Sequence, residues 1–210
     1  MKALRPVLCL AGILLGAGSA FADSFPITFL GVNGAIDFGY YVGPYYGTIN
    51  NDPVTLYCID FANEVSFGQS WLANLTAIDG SGDLSNTRYG GLPNALKLYQ
   101  EAAWLTTQYA GNAANYGDIQ GTIWQLFDPN APQPNSNAWL LLAESNYQSL
   151  DFSNFEVVTN APPVYATGQI QEFLIDRAPV PEPSSIILLG TVLIVTGFVL
   201  RRTTSRVACR

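Results

Sequence analysis

The stretch 54–61, VTLYCIDF, is the part of the sequence that most decides the fold. It consists mainly of β-branched, aromatic and apolar residues of the kind enriched in β-strands, and it follows the turn-forming residues 50–53, NNDP. Strand alternation places Cys58 on the same face as Val54 and Leu56, which favours burial of its side chain. The stretch therefore predicts a sheet-forming domain with a cysteine in its interior.

Sheet-forming sequence continues on both sides of this strand. Upstream, residues 24–30 and 36–42 predict strands, and the tyrosine-rich segment 39–47 predicts a hairpin or loop. Far downstream, residues 155–158 and 169–175 predict strands again, with a pair of prolines between them. The sheet is therefore expected to draw on both ends of the domain.

Between these strand groups the apolar residues recur at helical spacing. A first helix is predicted to begin near Pro93 and to end by Gly111, because both residues suit those positions. A second helix is predicted over about 113–127 and a third after Ser136, with the proline-rich segment 128–135 as a loop. The fold class predicted is α+β, a β-rich domain with an inserted group of helices.

Both ends of the chain carry signals for export. Lys2 and Arg5 precede an apolar stretch, and small residues follow near position 22, which is the pattern of a secretory signal peptide over 1–22. At the other end, residues 186–200 are apolar and uncharged and predict one C-terminal transmembrane helix. The exported domain is then expected to span 23–178.

The predicted transmembrane helix is short. Its fifteen residues extend about 22 Å, against roughly 30 Å for the hydrocarbon core. Arg201 and Arg202 open a basic tail over 201–210 that can snorkel and hold this end in the cytoplasm. An ordinary membrane anchor with a proline-rich stalk is one interpretation of this tail.

Residues 179–185 complete a three-part tail, because they contain Pro181, Glu182 and Pro183 directly before the apolar helix. This order resembles the PEP-CTERM sorting signal of Gram-negative bacteria. The resemblance implies a transient anchor in the inner membrane and processing by an exosortase-type enzyme. It also implies that the exported domain is released or transferred to the cell surface or to the extracellular matrix of a biofilm.

Composition excludes several classes of function. The exported domain has three basic residues against fifteen acidic ones, a net charge of −12, which disfavours nucleic-acid binding. The chain has no histidine, which excludes Ser-His-Asp and Cys-His catalysis and histidine-bound metals. Asp79 and Asp83 lack the spacing of a calcium loop and are interpreted as a solvated acidic turn. No cofactor and no metal are expected.

Cys58 is the single cysteine of the exported domain, because Cys9 lies in the signal peptide and Cys209 in the cytoplasmic tail. A lone thiol in an oxidising compartment is buried and inert, paired between chains, or used in other chemistry. On the second helix, Gln120 lies among apolar residues at helical spacing. A buried amide needs a partner, which could be a backbone group or the Cys58 sulfur.

Tyr57, Cys58 and Ile59, followed by 119–124 (IQGTIW), resemble the Cys-Gln thioester domains of bacterial surface proteins, also called TQXA domains. The segment 99–105 (YQEAAWL) shares the resemblance. It implies a thioester between the Cys58 sulfur and the Gln120 side-chain carbonyl, shielded by Tyr57 and Trp124. It further implies adhesion through covalent attachment to an amine or hydroxyl of a partner. That bond would be consumed, so the protein is not expected to be an enzyme.

Two other functions stay open for the exported domain. The first is a noncovalent structural or binding component of the biofilm or exopolysaccharide matrix, with Cys58 as a small buried apolar residue and Gln120 hydrogen-bonded. The second is a glycosidase that uses a carboxylate pair, with Glu101 or Asp118 essential, because such an enzyme needs no histidine. Trp71 and Trp104 are expected to serve mainly as packing residues.

Overall fold

The computed structural model describes residues 24–161 and 170–177. The predicted signal peptide over 1–22 and the segments 179–185, 186–200 and 201–210 lie outside these residues. The described strands and helices belong to one compact unit that ends at Arg177. In chain order the strands are β1 Phe25–Val32, β2 Ile36–Asp37, β3 Tyr40–Tyr41, β4 Tyr45–Ile49, β5 Asp52–Cys58, β6 Ser70–Ala77, β7 Phe155–Asn160 and β8 Phe173–Asp176.

Six of these strands close into a barrel in the order β1-β4-β5-β8-β7-β6, and β6 pairs back onto β1. Every pair in the barrel is antiparallel. The remaining two strands, β2 and β3, form a separate two-stranded hairpin. Closure matters because it pairs the edges that an open sheet would expose.

The three helices lie in the chain between β6 and β7, and their bounds are α1 Ala95–Thr107, α2 Tyr116–Phe127 and α3 Ala138–Asn146. A short 3-10 turn over Ala113–Asn115 leads into α2. The insertion of helices between sheet-forming segments is confirmed, as is a β-rich domain with a few helices.

Strand alternation divides the core in two. On β8, Phe173 and Ile175 join one apolar cluster with Ile27, Leu56 and Cys58, which come from other barrel strands. Leu174 between them joins a second cluster that the helices cover. Successive residues of a strand point to opposite faces, so the first cluster fills the barrel and the second lies between the barrel and the helices.

The second cluster is built from the apolar faces of the helices and the outward face of β7 and β8. Its buried members include Tyr99 and Leu105 of α1 and Ile119 and Ile123 of α2. Trp124 differs from its neighbours on α2 because its side chain joins the barrel cluster instead. The helix thus contributes a buried aromatic side chain to the cluster that holds Cys58.

Several predicted strands have different bounds in the structure. The strand predicted over 36–42 was wrong, since these residues form two two-residue strands around a turn in which Phe38 and Gly39 have positive φ. The strand predicted over 169–175 begins later, at Phe173. Two barrel strands, β4 and β6, went unpredicted.

Within 24–161 and 170–177, none of the helices has the length and apolar content needed to cross a bilayer. The helix predicted over 186–200 lies outside this part of the chain.

The barrel core predicts a large effect for one substitution. Phe173 is fully buried, and its ring lies 6.2–6.3 Å from the rings of Phe29, Tyr45 and Trp71. We expect Phe173→Ala to lower the free energy of unfolding by about 3–5 kcal/mol, because it leaves a cavity among these rings. Urea unfolding measures the change. Leu141→Ala, at a position 61% exposed on α3, is the control and is expected to change it by less than about 0.5 kcal/mol.

Candidate functional site

Cys58 is the last residue of β5, and its side chain is fully buried. It forms no disulfide in the structure, and it pairs across the sheet with Phe173 of β8. Three groups contact its sulfur: the Gln171 amide nitrogen at 2.8 Å, the Trp124 indole nitrogen at 3.2 Å and the Asp60 carbonyl oxygen at 3.4 Å. Two N–H donors therefore point at the sulfur, and the thiol itself can donate to Asp60.

Gln171 is the functional candidate that the sequence analysis missed. It lies just before β8, half-buried, and its Nε2 donates both to the Cys58 sulfur and to the Asp60 carbonyl at 3.1 Å. A separation of 2.8 Å is short for a bond to sulfur, since it is typical of N–H···O contacts to the smaller oxygen atom. The side-chain amide of Gln171 thus lies in direct contact with the thiol.

Gln120 also meets Cys58, but through the backbone. Its Nε2 donates to the Cys58 carbonyl oxygen at 2.7 Å, and its Oε1 accepts from the Tyr109 hydroxyl at 2.8 Å. The amide is fully buried and has partners at both of its ends. The structure therefore brings Cys58 and Gln120 together and gives the buried amide the backbone partner that it needs, while the thioester between them stays a prediction.

The two residues predicted to shield the site lie on different sides of β5. Trp124 is 2% exposed and contacts the sulfur, with the rings of Phe61 and Tyr40 packed on it at 5.3 and 6.0 Å. Tyr57 packs against the second cluster, between the barrel and the helices (the helix-side cluster), where its ring stacks on that of Tyr109 at 5.9 Å. Trp124 is thus placed to cover the sulfur directly, whereas Tyr57 packs against the tyrosine that holds Gln120.

A cleft of about 410 Å³ opens next to the sulfur. Its wall is largely aromatic and includes Tyr40, Phe61 and Trp124, and its polar lining residues are Asn63, Glu64 and Gln171. Gln171 and Trp124 both line the cleft and both contact the sulfur, so the cleft reaches the residues that cover Cys58, which is itself not among the lining residues. Gln120 is not among its lining residues.

The other sequence candidates are placed elsewhere. Glu101 is buried in an ion pair with Lys97 at 3.2 Å, and Asp118 accepts from the Asn135 backbone and side chain. Neither residue lines the cleft. Asp79 accepts from Ser81 and Asp83 caps a 3-10 turn through Ser85, contacts of an acidic turn. In the described part of the chain, no group of three or more His, Cys, Asp or Glu side chains is arranged to hold a metal ion.

Burial controls the acidity of the thiol. It raises the pKa of Cys58 to about 12, although hydrogen bonds from Trp124 and Gln171 act in the opposite direction. A thiol with this pKa stays protonated at neutral pH. The pKa in the folded chain lies above its ordinary value of 9.0. The protonated thiol therefore stabilises the folded state below pH 9, and this stabilisation is lost as the pH rises toward 12.

The raised pKa predicts the reactivity of chains in which Cys58 is a free thiol. While such chains are folded, we expect iodoacetamide to label Cys58 slowly at neutral pH and faster as the pH approaches 12, because the thiolate is the reactive form. Unfolding in urea should restore ordinary reactivity at every pH. Mass spectrometry of the labelled chain measures both rates. Rapid labelling of the folded chain at neutral pH would contradict the burial of the thiol.

Comparison with known proteins gives one family match. The PEP-CTERM protein-sorting motif matches residues 179–202. These residues contain Pro181, Glu182 and Pro183 and both Arg201 and Arg202, so the prediction of a PEP-CTERM sorting signal is confirmed. The transmembrane helix over 186–200 stays a prediction. The chain is thus an exported protein sorted by an exosortase-type system, with a transient membrane anchor. No curated protein and no solved structure matches the chain.

Proposed function

We propose that this exported protein carries an internal thioester between Cys58 and a glutamine side chain, and that Gln171 is the glutamine used. The observation that carries the proposal is the 2.8 Å contact between the Gln171 amide nitrogen and the buried Cys58 sulfur. The bond would attach the domain covalently to a surface or matrix partner once, without turnover. The proposal is independent of the sorting motif, which matches residues 179–202 and not the barrel.

Formation of the bond balances without any added oxidant or cofactor. The Cys58 sulfur attacks the Gln171 side-chain carbonyl carbon, a C–S bond forms and the C–N bond breaks. Ammonia leaves with the thiol proton. Close and fixed placement of the two groups favours this step, because an intramolecular reaction between well-oriented groups avoids the entropy cost of bringing them together.

In the attachment step the Cys58 sulfur is the leaving group, whereas it is the nucleophile when the thioester forms. A partner amine attacks the thioester carbonyl, a C–N bond forms and the C–S bond breaks, and Cys58 regains its thiol proton. A partner hydroxyl would give an ester in the same way. Glu64 is the one charged residue among the described lining residues of the cleft, and its carboxylate attracts a cationic amine.

Access favours Gln171 over Gln120 as the acyl donor. The carbonyl that accepts the partner must be reachable, and Gln171 is half-buried and lines the cleft. Gln120 is fully buried, and both ends of its amide already have partners, Tyr109 and the Cys58 backbone. Gln120 then supports the site by holding the backbone of Cys58.

Intact mass spectrometry with methionine variants of the two glutamines tests the proposal. Met approximates the shape of Gln and has no acyl group. We expect the parent chain to be lighter than its calculated mass by one ammonia and to gain a methylamine adduct on Gln171. Gln171→Met should abolish both effects, as should Cys58→Ala. Gln120→Met should retain them, although it leaves two buried partners unsatisfied at a cost of about 1–3 kcal/mol.

Each other outcome has a definite meaning. Loss of the effect in Gln120→Met with retention in Gln171→Met would assign the bond to Gln120. A parent chain of full mass, with Cys58 free after unfolding, would overturn the thioester and leave a noncovalent surface or matrix component.

The lifetime of the bond tests the role of Trp124. Its indole covers the sulfur, so we expect Trp124→Ala to speed loss of the thioester in buffer by about tenfold or more, because water gains access to the carbonyl. The rate is followed as the gain of mass on hydrolysis. Trp104→Ala, in the helix-side cluster, is the control and should leave the rate unchanged. An equal rate in both variants would remove Trp124 from the site.

A further inference from the structure

Two buried carboxylates lie directly beside the reacting residues. Asp60 follows Cys58 by two positions, and Glu172 follows Gln171 immediately. Both side chains are fully buried. Charged groups are costly to bury without partners, so their contacts indicate what the cluster does.

One residue, Arg88, contacts both sides of this cluster. Its Nε lies 2.9 Å from Asp60 Oδ2, and its Nη2 donates to the Ile170 carbonyl at 2.8 Å. Its backbone N–H donates to Glu172 Oε1 at 2.8 Å. Arg88 comes from the segment between the 3-10 turn Leu84–Asn86 and α1, outside the barrel strands. It therefore links the chain after Cys58 to the chain on either side of Gln171.

This link acts where the backbone pairing of β5 and β8 ends. The last paired residues are Cys58 and Phe173. Beyond them, Ile59 N–H still donates to the Glu172 carbonyl at 3.2 Å, and Glu172 N–H donates to the Asp60 carboxylate at 3.3 Å. From there side chains join the two segments as far as an isolated backbone bridge between Glu64 and Ile170. Between these points the Asp60 carboxylate must be held in place for the contact to Glu172 to persist.

Further donors hold the two carboxylates. Asp60 accepts from the Tyr89 hydroxyl at 2.9 Å, and Glu172 accepts from Tyr99 at 2.9 Å and from Thr159 at 2.5 Å. Burial raises the pKa of Glu172, while its hydrogen bonds with Arg88, Thr159 and Tyr99 act against the rise. The cluster is thus a packed set of directional bonds, which fixes positions more tightly than apolar packing alone.

We propose that Arg88 is a positioning residue that sets the Gln171 amide against the Cys58 sulfur. The inference rests on the proposed thioester. Arg88 acts through its contacts with Asp60 and Ile170. Displacement of the amide by a fraction of a bond length then lowers the rate of thioester formation steeply, because intramolecular reactions depend on alignment.

The test compares Arg88→Lys with Arg177→Lys in the full chain, purified in detergent. Lysine keeps the charge near Asp60 but has no planar fork to reach Asp60 and Ile170 together. Arg177, which pairs with Glu156 at the other end of β8, is the matched control. The difference between measured and calculated mass of each variant is compared with that of the same variant carrying Cys58→Ala. Any mass change from processing of the chain ends is then the same in both samples.

We expect the thioester-containing fraction to fall about tenfold in Arg88→Lys and to stay at the parent level in Arg177→Lys. Melting temperatures are recorded in parallel. A lowered melting temperature with an unchanged fraction would show a purely structural role and overturn the proposal, as would an equal fall in both variants. If Arg88→Lys does not fold, Tyr89→Phe removes one bond to Asp60, and its fraction should fall about twofold. An unchanged fraction there also overturns the proposal.

A second readout separates this inference from the proposed function. If the parent chain shows no loss of ammonia, the thioester fails, and iodoacetamide labelling of Cys58 in the folded chain then tests Arg88 alone. Faster labelling in Arg88→Lys than in Arg177→Lys would keep Arg88 as the residue that positions the strand end at Cys58. Equal labelling rates would overturn that role.

Discussion

The antiparallel pairing of β5 with β8 closes the barrel, and the remaining architecture depends on it. The ladder is short, with Tyr57 opposite Leu174 and Cys58 opposite Phe173. It joins segments that are 113 residues apart at the contact between Cys58 and Gln171. The same pairing separates the two cores, because Phe173 faces the barrel interior and Leu174 faces the helices. Because barrel closure and the separation of the two cores depend on so short a ladder, contacts from outside the strands must stabilise it.

That reinforcement is polar and buried. Around the end of the ladder, Asp60, Glu172 and Gln120 are fully buried, and each is held by several directional bonds. Each unsatisfied polar group here would cost about 1–3 kcal/mol, so the set is stable only as a whole. The site thus combines a polar surround with an aromatic cleft on one side.

Sequence patterns predicted the helices well, because α1 and α2 bury apolar residues at helical spacing. They also placed Cys58 in a buried strand, whereas only the resemblance to the thioester domains paired Gln120 with it, and Gln120 meets Cys58 through the backbone carbonyl. The strand β4 was missed because Gly43, Pro44 and Gly47 are typical of turns and loops. Gly47 is nevertheless required in the strand, since a Cβ there would lie 2.8 Å from the Thr28 carbonyl oxygen and 2.6 Å from the Leu56 side chain. Gln171 was missed because its contact with Cys58 follows from barrel closure, which no local pattern encodes. The polar pair at 171–172, between the apolar residues Ile170 and Phe173, is the signal that points to it.

The distance along the chain between the two halves of the site has a consequence for timing. Contacts between distant segments form late in folding, because the entropy of closing a long loop must be overcome first. Until β8 docks beside β5, the Cys58 sulfur has no amide beside it, and an unfolded chain is an ordinary thiol with ordinary glutamines. In the proposed function, barrel closure therefore sets the time at which the electrophile can form: the proposed thioester needs β8 paired with β5, so it arises only in the folded chain.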